Sequence, residues 1–215
     1  MNEIVLHNYF RSSTSTRVRT ALAIKGLQYD YVTWNLRDGA QNSEEFLAIN
    51  PQGIVPALVI DGQVLTQSVP IIEYLDERFP EPALLPTNAG DRARVRALAA
   101  MVACEIHPLN NLRVLRYLKS ALGADAQAQA QWFRHWVHTT FKPLEQMLSS
   151  DSRTGRFCHG DEPGLADICL FAQVLNNRRF DIEIGDYPTI ERIYAACIER
   201  PDFAAAIPEV QVDAF

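Results

Sequence analysis

Cysteine is scarce and scattered in this chain. Cys104, Cys158, Cys169 and Cys197 are the only four, and none forms a CxxC pair, so neither a zinc ribbon nor a dithiol redox motif is signalled and no metal site is expected. Such thiols read as reduced and mostly buried. An excess of positive charge is also missing. The formal net charge is -6 and the isoelectric point is near 5.4, which argues against a general nucleic-acid binder. No apolar run approaches the length of a membrane span, and the N-terminus shows no basic region followed by an apolar stretch and a cleavage site. The expected setting is therefore the cytoplasm, with neither membrane nor nucleic acid as partner. Internal repeats are lacking, and the sole compositional bias is an Ala/Gln patch at 124–131. What remains is 215 residues, 47% of them hydrophobic, enough to fill one large core or two small ones. Arginines gather at 11, 17 and 19, at 113 and 116, and at 178 and 179, a local clustering that suits a small anionic ligand.

Residues 1–84 alternate strand-like and helix-like segments. Strands are expected at 3–9, 28–34, 57–60 and 63–66, with helices at about 14–26, 43–48 and 68–79. Asp61-Gly62 between two apolar runs is a two-residue hairpin signal, so the last two strands should be antiparallel neighbours and the sheet mixed. The passage Phe79-Pro80-Glu81-Pro82-Ala83-Leu84-Leu85-Pro86 then interrupts all periodicity and reads as a linker or docking strap. From 89 to 215 helical patterns dominate, at 89–121, 125–149, 164–179 and 187–200, with a strand conceivable only in the tail. Pro108 should kink or split the first of these helices. The expected organisation is thus an α/β domain over 1–84 and an all-helical domain over 89–215. Asp167, ahead of an apolar helical run, reads as a cap. Trp132, Phe133 and Trp136 read as a core-facing stripe.

The segment that most constrains function follows the first strand: Arg11-Ser12-Ser13-Thr14-Ser15-Thr16-Arg17-Val18-Arg19. A row of hydroxyls where a strand meets a helix collects donors, free backbone N–H groups and the positive end of a helix dipole, and arginines flank it. Such a junction either caps its own helix through Ser12 or Ser13, or holds an anion.

Two further segments belong with it: Asn50-Pro51-Gln52-Gly53-Ile54-Val55-Pro56-Ala57-Leu58, and Leu65-Thr66-Gln67-Ser68 opening a helix. With the helical second half, the chain resembles the glutathione transferase superfamily, and the run from Arg11 to Leu22 resembles its zeta class, which includes maleylacetoacetate and maleylpyruvate isomerases. The resemblance extends to Asp38-Gly39-Ala40-Gln41, to Gln67 through Leu75, to His107 through Leu112, to Leu165 through Leu170, and to Arg178-Arg179-Phe180 with Tyr187-Pro188-Thr189-Ile190.

The resemblance implies a thioredoxin-like N-terminal domain, an all-helical C-terminal domain, a homodimer and glutathione as cofactor. It implies that Pro56 is a cis-proline and that the Val55 backbone pairs with the ligand's cysteinyl peptide. It also implies that Gln67 and Ser68 hold the γ-glutamyl carboxylate and that Gln41 meets the glycyl end. His107 and Asn111, four apart on one helix, are implied as further ligand contacts, or as plugs for the kink at Pro108. Ser12, Ser13 and Thr14 would stabilise the glutathione thiolate, whose reference pKa near 8.5 leaves only a few per cent ionised at neutral pH. Thr14 stands where the class often carries cysteine, so the protein side chain there donates a hydrogen bond but is no thiol nucleophile. Arg11, Arg113 and Arg179 are the candidate clamps for a small dicarboxylic keto acid, since the guanidinium fork matches carboxylates. Arg19 reads as structural ion pairing, Arg17 is left open, and Tyr9 reads as packing. The implied activity is cis–trans isomerisation of a maleyl keto acid in tyrosine, gentisate or related aromatic catabolism. Conjugation or dehalogenation of α-halo acids, and non-catalytic glutathione or ligand carriage, are the alternatives.

Overall fold

A computed structural model describes residues 4–214. Glu3, where the first strand was expected to start, lies outside the described residues, as does the last residue of the helical half. Two compact units emerge, one made of residues up to Leu84 together with the segment from Glu199 onward, the other of Leu85–Ile198.

The first unit is built on strands β1 (Ile4–Asn8), β2 (Asp30–Thr33), β3 (Ala57–Ile60) and β4 (Gln63–Thr66), ordered β2-β1-β3-β4. β1 runs parallel to β2 and antiparallel to β3, and β3 is antiparallel to β4. The sheet is therefore mixed, as the hairpin signal required. Asp61 and Gly62 both take positive φ, 51° and 74°, the conformation a two-residue type I′ turn needs. Helix α1 (Ser13–Ile24) crosses from β1 to β2, and Gly26, at φ 65°, lies in the left-handed region just past its end. Helices α2 (Glu44–Ile49) and α3 (Ser68–Arg78) complete the alternation. Lys25, just past α1, donates to Asp76 Oδ1 at 2.7 Å and to the carbonyls of Phe79 and Pro82, while Leu84 N donates to the same Asp76 oxygen. The proline-rich passage up to Leu84 is thus fastened to the ends of α1 and α3 rather than hanging as a free linker.

Arg19 is the least ordinary residue of this unit. It lies on α1, is 1% exposed, and was expected in an ion pair. Its guanidinium is instead solvated by neutral acceptors: Nη1 donates to Asn8 Oδ1 at 2.9 Å, and Nη2 to Phe10 O at 3.0 Å, Thr16 Oγ1 at 2.9 Å and Ala206 O at 3.1 Å. Burial lowers its pKa, opposed by Tyr31, Tyr29 and Asp213, yet a guanidinium keeps its charge in proteins. Ala206 belongs to the tail, where α10 is Pro201–Ala204 and a single 3-10 turn spans Pro208–Val210. Asp213 adds two ties, accepting from Phe10 N at 3.2 Å and from the Tyr31 hydroxyl. The tail, expected with the helical domain over 89–215 and as its one conceivable strand, therefore packs with the first unit and forms no strand among the described residues. Carbonyls in the tail are what the buried cation requires.

The second unit is helical: α4 (Ala89–Ala100), α5 (His107–Asn110), α6 (Leu112–Leu122), α7 (Ala126–Ser150), α8 (Leu165–Arg178) and α9 (Pro188–Ile198). The pattern at 89–121 is split rather than continuous. Wider π winding over Met101–Ile106 precedes Pro108, and the chain turns extended at Asn111, φ -75° and ψ 162°. Proline removes one N–H and crowds the preceding turn, which a wider winding accommodates. Asn111 then caps α6, accepting from Val114 N, and donates to Pro108 O. Asp167 accepts from Cys158 N at 2.7 Å and Gly164 N at 2.9 Å, the capping role read from sequence. Its neighbour Cys158 is fully buried, and desolvation with Asp167 beside it pushes the thiol well above its ordinary pKa, so this sulfur is inert. Of the aromatic stripe, only Phe133 is in the core, stacked on Phe180 at 3.9 Å. Trp132 and Trp136 are half-buried, and Trp132 Nε1 donates to Leu109 O.

Two outcomes follow for the first unit. Arg19→Met should lower stability in urea by about 3 kcal/mol, because several buried acceptors lose their donor at once, with Arg19→Lys recovering only part. His7 Nδ1 accepts from Trp34 Nε1 at 3.0 Å, and burial holds the His7 pKa below its ordinary value against the opposing pull of Glu45. A lowered histidine pKa means the unfolded chain binds more protons, so stability should fall as pH drops below about 6.5. His7→Gln should flatten that part of a pH series of urea midpoints.

Candidate active site

The hydroxyl-rich turn forms the N-terminus of α1. Ser12 sits at the cap in extended conformation, φ -74° and ψ 117°, and its Oγ accepts from Ser15 N at 3.2 Å. That capping reading holds, and it does not use up the hydroxyl. Ser12 Oγ lies 2.8 Å from Thr14 Oγ1, and Thr14 Oγ1 donates to Val55 O at 3.0 Å. A threonine has one hydroxyl proton, and a carbonyl only accepts. Thr14 must therefore give its proton to Val55, and Ser12 must be the donor to Thr14. The result is a directed chain, Ser12 to Thr14 to Val55, with the lone pairs of Ser12 facing the helix start. Ser12 and Thr14 are both partly exposed and Ser13 is buried. An anion placed at this turn has only to draw the Ser12 proton away from Thr14, a rotation about one bond.

Arg11 stacks its guanidinium over the Phe10 ring, 4.9 Å from the centroid. Tyr9 and Phe10 belong to a core cluster with Trp34, Phe46 and Val55, so Tyr9 packs as expected. The Val55-Pro56 bond is cis, in agreement with the resemblance. A second cis bond, Glu81-Pro82, lies in the proline-rich passage. Gly53, at φ 63°, passes so close to the backbone of Gln41 that an added Cβ would lie 3.3 Å from its carbonyl oxygen. Gln41 is buried, with Oε1 unpaired among the described residues.

Gln67 precedes α3 at φ 69° and ψ 122°, a conformation that costs a non-glycine residue about 1–3 kcal/mol and is typical of functional positions. Its Nε2 donates to Gln52 Oε1 at 2.9 Å, tying the α3 start to the Val55 loop. No side chain caps α3 and its first turn holds no acidic residue. Ser68 is 5% exposed and accepts at Oγ from Arg17 Nη1 at 3.3 Å. Arg17, which the sequence left open, is 1% exposed, and its Nε and Nη2 have no partner among the described residues. Nothing local in the sequence signals a contact between residues 51 positions apart.

The remaining candidates lie on the second unit. His107 opens α5, whereas Asn111 caps α6 beyond the break, so the two do not share a helix face as the spacing suggested. Asn111 does plug the kink at Pro108. Arg113 is exposed in the first turn of α6. Arg179 ends α8 and donates to Asn176 Oδ1 at 3.3 Å.

Comparison with known proteins finds relatives over nearly the whole chain. Residues 11–78 match the N-terminal domain of glutathione S-transferases. A maleylpyruvate isomerase of a Ralstonia species is 46% identical over 97% of this chain and 98% of its own. The holo structure of a maleylpyruvate isomerase, described as a bacterial zeta-class glutathione transferase, superposes with a TM-score of 0.96 at 45% identity, covering 98% of this chain and all of that one. A maleylacetoacetate isomerase of Methylobacterium extorquens AM1, with malonate and glutathione bound, gives a TM-score of 0.95 at 40% identity over 98% of this chain and 99% of that one.

The directed hydroxyl chain has a measurable signature. Ser12→Ala and Thr14→Val should each destabilise the chain by about 1 kcal/mol through loss of the cap and of a hydrogen bond. Their double variant should fall short of the sum by about 0.5 kcal/mol or more in a urea-unfolding cycle.

Proposed function

The chain belongs to the zeta class of the glutathione S-transferase family, with the maleylpyruvate and maleylacetoacetate isomerases, and from that premise we propose that it is a glutathione-dependent cis–trans isomerase of a maleyl keto acid. The observation that carries the reading is the hydroxyl chain at the α1 terminus, directed onto the Val55 carbonyl 3.0 Å from Thr14. Residues of the first unit fit glutathione. The α3 start lacks any capping acid and has a buried, unsaturated guanidinium beneath it, which suits a carboxylate. The partly exposed Ser12 and Thr14 at this turn suit a thiolate.

When bound, glutathione supplies a sulfur nucleophile that adds to the cis double bond and departs after rotation about the resulting single bond. Ser12 would turn its proton from Thr14 toward the sulfur and favour the ionised form. Thr14 would keep its own proton on Val55 and hold the turn to that loop. Each pKa unit is worth about 1.4 kcal/mol, and one charge-assisted hydrogen bond with a helix dipole supplies roughly two units. Ser13 joins them as a candidate donor. Val55, Gln41, Gln67, Ser68, His107 and Asn111 are proposed as glutathione contacts. Arg11, Arg113 and Arg179 are proposed to hold the substrate's carboxylates and the negative charge that develops on its conjugated carbonyl. Among the described residues no helix is long and apolar enough to cross a membrane, and we propose a cytoplasmic homodimer on the likeness to the family.

A spectrophotometric assay of maleylpyruvate and maleylacetoacetate with catalytic glutathione tests the reading. Product should exceed the glutathione supplied. Ser12→Ala should reduce turnover by roughly tenfold to a hundredfold and move the acid limb of the pH–rate profile upward, because loss of the donor raises the pKa of the bound thiol. Glutathione consumed mole for mole with an α-halo acid would instead indicate conjugation. Tight glutathione binding with no turnover of either keto acid would indicate a carrier.

A further inference from the structure

Arg17 is a permanent cation buried to 1% exposure with a single partner, Ser68 Oγ, at 3.3 Å. Its Nε and Nη2 are unpaired, and no acidic side chain among the described residues forms an ion pair or hydrogen bond with it. The contrast with Arg19, two residues on and equally buried, is informative. All three nitrogens of Arg19 find acceptors. An uncompensated buried charge is costly, so a group that stays buried with two of its nitrogens idle indicates an anion that the chain itself does not provide.

The position of the missing anion follows from the one bond Arg17 makes. Because Nη1 donates to Ser68 Oγ, the proton of Ser68 points elsewhere, and no described residue accepts it. Ser68 is the first residue of α3, an 11-residue helix with no side-chain cap and no acid in its first turn. Pro70 removes one N–H, leaving those of Ser68 and Val69 to serve a ligand. Helix dipole, idle N–H groups, an outward Ser68 proton and a buried cation behind it converge on one spot.

We propose that Arg17 is a positioning residue for glutathione's γ-glutamyl carboxylate, acting through Ser68. It fixes Ser68 as a donor and supplies, behind the helix terminus, the positive charge that the bound carboxylate neutralises. The inference rests on the isomerase reading for the identity of the ligand. The carboxylate requirement rests on the unpaired guanidinium itself.

The test is isothermal titration of the full chain with glutathione and with 4-aminobutyryl-cysteinyl-glycine, which is glutathione with that carboxylate replaced by hydrogen. Wild type should prefer glutathione. Arg17→Met should weaken glutathione roughly tenfold to a hundredfold while changing the analogue by less than about threefold, so the preference collapses. Arg17→Lys should restore part of it. If Arg17→Met does not fold, Arg17→Gln serves, because it removes the charge while keeping a donor for Ser68 and should lose the same preference. Parallel weakening of both ligands would mean a packing role and overturn the proposal, as would an undiminished preference in Arg17→Met or Arg17→Gln. Failure of the wild type to bind glutathione at all would overturn the isomerase reading and this proposal with it.

Discussion

A guanidinium buried against a sheet must be given acceptors, and in the first unit that requirement governs the strand-to-helix junction. Arg19 collects the side chain of Asn8 at the end of β1, the carbonyl of Phe10 in the turn, the hydroxyl of Thr16 on α1 and the carbonyl of Ala206 in the tail. With the carbonyl of Tyr9 as a further acceptor, these come from β1, the turn, α1 and the tail, so the cation is satisfied only when those segments are in place. The turn that carries Ser12 and Thr14 is thereby held between fixed points, and the tail is drawn onto the first unit.

On that frame the hydroxyls acquire direction. Ser12 and Thr14 both have protons to give, yet the Val55 carbonyl takes the one from Thr14 and so orients the other. Thr14 thereby ties the turn to the Val55 loop. Two neighbouring arginines on α1 then divide the work. Arg19 is saturated and holds the frame, while Arg17 is unsaturated and leaves room for a charge from outside.

Much of this was legible beforehand. The Asp61-Gly62 hairpin, the mixed sheet, the cap at Asp167 and the cis bond at Pro56 follow from turn chemistry, capping preference or likeness to the family, and each concerns neighbours in sequence or a named motif. The misreadings share a different cause. Arg19 was assigned an acid partner because charge pairing is the usual fate of a buried arginine, whereas carbonyls leave no trace in a sequence. A four-residue spacing puts His107 and Asn111 on one face only where the winding is unbroken, and the chain turns extended at Asn111. Trp132 and Trp136 were placed in the core because periodicity gives a face without saying how deeply it is covered.

The sequence by itself determined most of the elements, their order and the hydroxyl turn, because these depend on local propensity and spacing, while the class of chemistry came from its resemblance to the zeta class. Only the tertiary structure decided which way each hydroxyl donates, which of two adjacent arginines is saturated, and where the tail packs. Those depend on the direction and availability of lone pairs brought together from positions as far apart as Arg19 and Ala206, and a hydrogen bond of that kind exists only after the chain has folded.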